Sequence, residues 1–385
     1  MRIAVIATGF ADPWREGDLV TRRLSGALAC CGEVDLLMPG GARSANERDG
    51  AVRVLQFRST PFDARRRAAW RKVAFGHDAS EERAWTEVER RRDLPDFVES
   101  ELLASEGGDA PDLYDHLRSH PYDLIVFVGY HTPVAYCGVR ALGDDQRVVL
   151  VPAGRDDGSA WLRLHDDLFE RAEGFLVCTE SERQWLAQRV GAEKAGRIEN
   201  VGFVIGVNSL GQKTEPPEFD DKSYVIVAGD WNGSRSASRL QRWAEYLQEE
   251  VDPDLRLRLV GPGAERLRYG LNRTAGRLDI CRWVSRALAL LDPLPDRIIG
   301  REVLEAYNYG TPVIVSAAGG ATREHAEDGN GGLWYRTDDE FFGAVEALLD
   351  RELRTALGQQ GRAYAEETFG DADTYIKRLN SVLFP

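Results

Sequence analysis

A chain of 385 residues is long for one hydrophobic core and comfortable for two domains. Its formal charge of −14 argues against a dedicated nucleic-acid binder, which needs a basic stripe to displace counterions. The one obvious basic run, Arg65–Lys72, reads first as a solvated helix face, and only second as a surface for an acidic substrate or a membrane.

The N-terminal run MRIAVIATGF is too short for a signal peptide and reads as a strand, Arg2–Ala7, closed by a loop at Gly9. Leu19–Ala29 has helical periodicity, and Glu33–Leu37 and Val52–Phe57 are further strands. Strand, glycine loop, helix, strand is the opening of a doubly wound sheet. Residues 61–117 are charged and mostly helical, with Trp70, Phe75, Trp85 and Phe97 expected to pack on the sheet edge. Asp123–Val128 is a buried strand followed by Gly129, Tyr130 and His131. Strands at Val148–Val151, Gly174–Cys178 and Val201–Ile205, with helices at His165–Ala172 and Ser181–Val190, continue the alternation.

The pattern then breaks. Residues 206–222 are polar and aperiodic, with Pro216 and Pro217, and read as a linker. A second series follows: a strand at Tyr224–Ala228, a helix at Ala237–Gln248, then strands at Leu255–Val260, Ala287–Leu291 and Val313–Ser316, and helices from Asp338 to Leu383. Two Rossmann-like halves, 1–205 and 223–362, with a ligand cleft between them and terminal helices over 363–385, are the simplest architecture.

Cys30, Cys31, Cys137, Cys178 and Cys281 form no CxxC pair and no zinc spacing, so reduced thiols are expected, buried at the last three. No histidine has a partner at metal spacing; His77, His116, His120, His165 and His325 read as surface or core residues. No apolar run approaches transmembrane length, and a soluble cytoplasmic protein is expected. GxSxG, Walker A, HExxH and GxGxxG arrangements are absent, which removes the main support for hydrolase, P-loop and dehydrogenase readings.

The stretch Ile298–Gly320 carries the most chemistry. It reads as an approach loop, a short helix with Glu302 and Glu305, a turn at Gly310–Pro312, a buried strand and a glycine-rich loop. A helix N-terminus offers free N–H groups to phosphate, and a carboxylate on that helix accepts hydrogen bonds from ribose hydroxyls. Glu302 taken alone reads as a solvated helix face. Upstream, Gly229–Arg235 joins a strand to a helix, which suits a phosphate loop and equally a plain turn with a surface arginine.

Together these motifs resemble the donor site of retaining glycosyltransferases of family 4 (glycosyl transferases group 1), and the resemblance covers most of the chain. It implies an α/β GT-B fold: two Rossmann-like domains facing each other across a cleft that closes on its substrates, with the last helix, near Tyr375–Leu383, crossing back to the first domain. It further implies transfer from a nucleotide-diphosphate sugar to an acceptor hydroxyl with retention, no metal and no other cofactor. The acceptor would be a sugar, a lipid-linked group or a small molecule, with no nucleic-acid partner and room for peripheral membrane contact.

By the same resemblance Glu305 takes the ribose, while Gly229, Gly261 and Gly300 approach the donor. Arg235 stands where the family has a lysine and clamps the diphosphate; Asp230 stands where it has an arginine. Arg297 occupies the place of the first motif glutamate, with Asp296 beside it, and invites an acidic or phosphorylated donor sugar. His131 would lie under the transferred sugar, giving a catalytic set of His131, Arg235 and Arg297. Gly9 meets the donor phosphate or acceptor, as Gly17 could. Phe10 would face the acceptor, as could Arg155 and Asp156 with Asp157, which equally suit a solvated turn; Glu180 matches a family glutamate that here follows Thr179. The reversals at positions 230 and 297 keep open a non-catalytic GT-B binding protein; a mutase, phosphorylase or epimerase on the same fold is a further alternative.

Overall fold

The computed structural model describes residues 1–9, 15–40, 45–76, 93–154, 158–205, 224–229, 237–264, 283–294 and 298–384. Contacts divide the chain into two units, Met1–Phe203 with Asp373–Pro385, and Val204–Ala372. The linker expected at 206–222 lies outside the described residues.

The first unit holds β1 (Arg2–Ile6), α1 (Glu16–Leu28), β2 (Glu33–Pro39), β3 (Ala45–Asp49), β4 (Val52–Phe57), α2 (Ala64–Phe75), α3 (Asp96–Ser105), α4 (Pro111–Ser119), β5 (Leu124–Val128), α5 (Pro133–Arg140), β6 (Val148–Val151), α6 (Asp166–Arg171), β7 (Gly174–Val177), α7 (Glu180–Val190), α8 (Ala192–Ala195) and β8 (Ile198–Asn200). The strands form one sheet in the order β3-β4-β2-β1-β5-β6-β7-β8. LIVFV of β5 is buried at every position, as a strand covered on both faces requires.

Among the described residues only β3 runs antiparallel, paired with β4 through a turn at Gly50, where φ is +60°. Its sequence, ANERD, is polar, so hydrophobic alternation did not announce it. The strand expected at Val201–Ile205 lies instead at Ile198–Asn200: Gly202 adopts φ +71°, outside the extended region, and ends the ladder after Val201 donates to the Val177 carbonyl. Phe97, expected to pack, is 62 % exposed and only edges onto Trp70. Cys178 is buried, which pushes its thiol pKa up, whereas Cys137 is half-buried; Cys281 is outside the described residues.

The second unit holds β9 (Tyr224–Ala228), α9 (Ala237–Tyr246), β10 (Arg256–Val260), β11 (Ala289–Asp292), α10 (Arg301–Asn308), β12 (Val313–Ser316), α11 (Ala321–Asp328), β13 (Gly332–Tyr335), α12 (Asp338–Leu349) and α13 (Arg351–Phe369). Its sheet is parallel throughout, in the order β10-β9-β11-β12-β13. The sequence reading left out α11 and β13, whose four residues are too few to set a period. Trp243 stacks on Phe341 in the core at 4.1 Å between ring centroids.

The last helix, α14 (Ala372–Leu383), packs on the first unit. There the Cys31 thiol meets the Asn380 amide oxygen at 2.7 Å, and Arg147 donates to the Leu383 carbonyl at 2.6 Å. Among the described residues no helix is long and apolar enough to cross a membrane.

α10 is seated on α13 by glycines. Tyr307 is fully buried, and a Cβ at Gly331 would come within 2.7 Å of its ring and of the Gly361 Cα. A Cβ at Gly361 would also overlap the Tyr307 ring, and one at Gly358 would overlap the Gly310 carbonyl. Gly361→Ala is therefore expected to destabilise the protein by about 1–3 kcal/mol through overpacking, read as a lower unfolding midpoint. An unchanged midpoint would show that this slot is not tight.

Candidate functional site

In the second unit the chain runs from β9 to β10 on one side and then to β11 on the other. The switch of direction opens a crevice beyond the carboxyl ends of β9 and β11, where open parallel sheets bind ligands. Gly229 follows β9 and donates its N–H to the Val260 carbonyl; Gly261, at φ +121°, follows β10. Ile299 and Gly300 lie between β11 and α10.

Gly300 opens α10 in the left-handed region, with φ +60° and ψ 39°. A Cβ there would stand 3.0 Å from the His325 ring and 3.3 Å from the Thr322 methyl. Both conformation and space call for glycine, and the result is a bare backbone at a helix N-terminus.

This turn is clamped from behind. His325 is fully buried; its Nε2 lies 2.9 Å from the Ile299 carbonyl, and its Nδ1 lies 3.0 Å from the Tyr364 hydroxyl. Burial pulls its pKa down to about 4, against the opposing effect of the Ile299 carbonyl. The neutral ring fits the pattern in which Nε2–H donates to Ile299 and Nδ1 accepts from Tyr364. Tyr307 donates to the His325 carbonyl at 3.3 Å, tying the glycine-seated ring to the same clamp.

One turn into α10, Glu305 is 5 % exposed, and its Oε1 accepts from the Arg301 Nε at 2.7 Å. The expected solvated face at Glu302 is corrected: Glu302 is also buried, because α11 and α13 cover the flanks of this short helix. Arg301 escaped the sequence reading, although the i, i+4 spacing with Glu305 was visible. The clamp at His325 left no local sequence signal.

Five predicted site residues, Phe10, Arg155, Asp156, Arg235 and Arg297, lie outside the described residues, as do Asp157, Asp230 and Asp296.

In the first unit the switch falls between β1 and β5, and it brings two predicted residues to one end of the sheet: Gly9 after β1 and His131 after β5. The Asp18 carboxyl, in the first turn of α1, fills the space a Gly9 side chain would need. His131 edges onto the buried Tyr130 ring at 5.6 Å and lines a small pocket with Arg71, Phe75, Ser159 and His165. Glu180 lies at the surface in a pair with Arg183 at 2.6 Å. The buried acid nearby is Glu182, whose oxygens accept from the Gly154 and Cys178 N–H groups at 3.2 and 2.9 Å. It fixes the loop after β6 to the end of β7, a role the sequence reading did not assign. Among the described residues no three metal-ligating side chains converge.

Residues 224–351 match the family described as Glycosyl transferases group 1. This part of the chain is a group 1 glycosyltransferase domain. Over its full length the chain has the GT-B fold. It is similar to the trehalose-6-phosphate protein from E. coli solved with UDP-2-fluoro glucose, at 14 % identity over 100 % of this chain and 99 % of that one, with a TM-score of 0.70. It is also similar to the α,α-trehalose 6-phosphate synthase of Burkholderia multivorans, at 14 % identity over 99 % and 98 % of the two chains, with a TM-score of 0.69. WaaG, a glycosyltransferase involved in lipopolysaccharide biosynthesis, matches at 15 % identity over 100 % of both chains, with a TM-score of 0.65. No curated protein sequence matches the chain.

The clamp has a measurable signature. The folded pKa of His325 lies below its ordinary 6.5, so the unfolded chain takes up the proton first as pH falls. Stability from the neutral ring is complete above pH 6.5 and is lost progressively towards pH 4, by up to about 3 kcal/mol. His325→Gln should flatten that part of the profile of unfolding free energy against pH. Equal slopes in the two proteins would overturn the assignment.

Proposed function

We propose that the protein transfers a sugar from a nucleotide-diphosphate donor to an acceptor hydroxyl, with retention of configuration and without a divalent metal. The observation that carries this reading is the Gly300–Glu305 turn: within a group 1 glycosyltransferase domain, a bare glycine opens a helix at the sheet's switch point, and a buried carboxylate follows one turn later. In this reading Glu305 accepts from the ribose hydroxyls. The N–H groups at the start of α10, together with Gly229, Gly261 and Arg235, neutralise the diphosphate as it leaves. Arg297 faces the donor sugar, and an acidic or phosphorylated sugar is the complement of its charge.

The second unit, Val204–Ala372, is the donor side; the first, Met1–Phe203 with Asp373–Pro385, is the acceptor side. There the loops of Gly9, Phe10, His131, Arg155 and Asp156 hold the acceptor. The Asp18 carboxyl against Gly9 favours a hydroxyl over a phosphate at that loop, since a phosphate would meet like charge. His131 supports the positive charge that develops on the transferred sugar. A cytoplasmic location goes with this reading, in keeping with thiols expected to be reduced. A second reading, a GT-B protein that binds a nucleotide sugar without transferring it, is favoured by the reversed charges at Asp230 and Arg297.

Titration calorimetry with UDP, GDP, ADP and TDP, in magnesium and in EDTA, tests the donor site. UDP comes first because the E. coli relative was solved with a UDP sugar. One diphosphate is expected to bind equally well in both buffers, and Glu305→Ala to weaken it roughly tenfold or more through the lost charged hydrogen bonds. Turnover of the matching nucleotide sugar separates the two readings. Absence of binding to all four would remove the donor site.

A further inference from the structure

α10 carries a cation where helix physics disfavours one. Arg301 is the first helical residue after Gly300, against the positive end of the helix dipole, and it precedes Glu305 in the weaker order for an i, i+4 pair. Yet its side chain is 13 % exposed, that of Glu305 is 6 % exposed, and their contact is 2.7 Å. A buried carboxylate is costly unless it is paired and hydrogen-bonded, and a guanidinium has the planar geometry to fix a carboxylate in one plane.

We propose that Arg301 is a positioning residue: it holds the Glu305 carboxylate aimed at the donor ribose, and so sets how strongly the protein selects a ribonucleotide. This rests on the donor-site reading above. One bond to Arg301 does not exhaust the carboxylate, which has about four acceptor positions. The bond to Arg301 therefore orients Glu305 and does not by itself use up its acceptor positions; in this reading the ribose hydroxyls are among its partners. Rotamer freedom is removed before the ligand arrives, so binding does not have to supply that ordering. The glycine seat of Tyr307 and the His325 clamp fix the helix backbone; Arg301 fixes the one side chain that must meet the sugar ring of the nucleotide.

The test is the ratio of dissociation constants for 2′-deoxy-UDP and UDP, or for the corresponding pair of whichever nucleoside diphosphate binds, in the wild type, Arg301→Met, Arg301→Lys and Glu305→Ala. A general loss of structure weakens both ligands together and leaves the ratio unchanged, so the ratio reports orientation alone. The wild type is expected to prefer the ribonucleotide roughly tenfold. Glu305→Ala and Arg301→Met should bring the ratio close to one, and Arg301→Lys, which keeps the charge, should restore part of it. If Glu305→Ala removes the preference and Arg301→Met leaves it intact, the inference is overturned and the donor site stands. If the wild type shows no preference, or Glu305→Ala leaves it unaltered, the ribose role of Glu305 falls and the inference falls with it.

Discussion

The second unit depends on one close approach, that of α10 to α13. Two backbones meet where Gly310 faces Gly358, and the Tyr307 ring fills the slot left by Gly331 and Gly361. Interiors packed this densely transmit small displacements rather than absorb them. The helix that carries Gly300 and Glu305 is only eight residues long, so its own hydrogen bonds could not hold it in place. Its position comes from the seat behind it, and the site in front inherits that precision.

Electrostatics differ between the two switch points. Behind the Gly300 turn lies a buried histidine kept neutral by desolvation, and within α10 Arg301 pairs with Glu305, with Glu302 a further buried carboxyl on the same helix. Around the N-terminal switch the buried groups include carboxyls, Glu16 and Asp18 in the first turn of α1 and Glu182 in that of α7. Acidic side chains at helix starts are favoured by the helix dipole, so these are cheap to place, and they give that surface a polarity unsuited to another anion.

Much of this was legible in the chain. β6, β9 and β12 stand where their apolar runs begin and end, because a parallel strand covered on both faces must be continuously hydrophobic. Glu305 and Gly300 were singled out through their motif. β3 was not, since an edge hairpin with polar side chains carries no period, and β13 was too short to carry one. His325 was read as an ordinary core or surface residue: its partner Ile299 is a carbonyl, and backbone atoms leave no trace in residue identity. Arg301 was in plain view at helical spacing, but the charge on it became informative only once both side chains proved buried.

The placement of α14 bears on how the protein is made. Strands β1 to β8 leave the ribosome early, yet the helix that completes their unit is synthesised only after the whole of the second unit. The second unit is contiguous and can reach its native contacts during translation, in the way domains generally fold as units. The first must wait with the surface around Cys31 and Arg147 uncovered until Asn380 and Leu383 arrive. The order of maturation of the two units is thus the reverse of their order of synthesis, and the growing chain presents its longest exposure at the face that α14 covers.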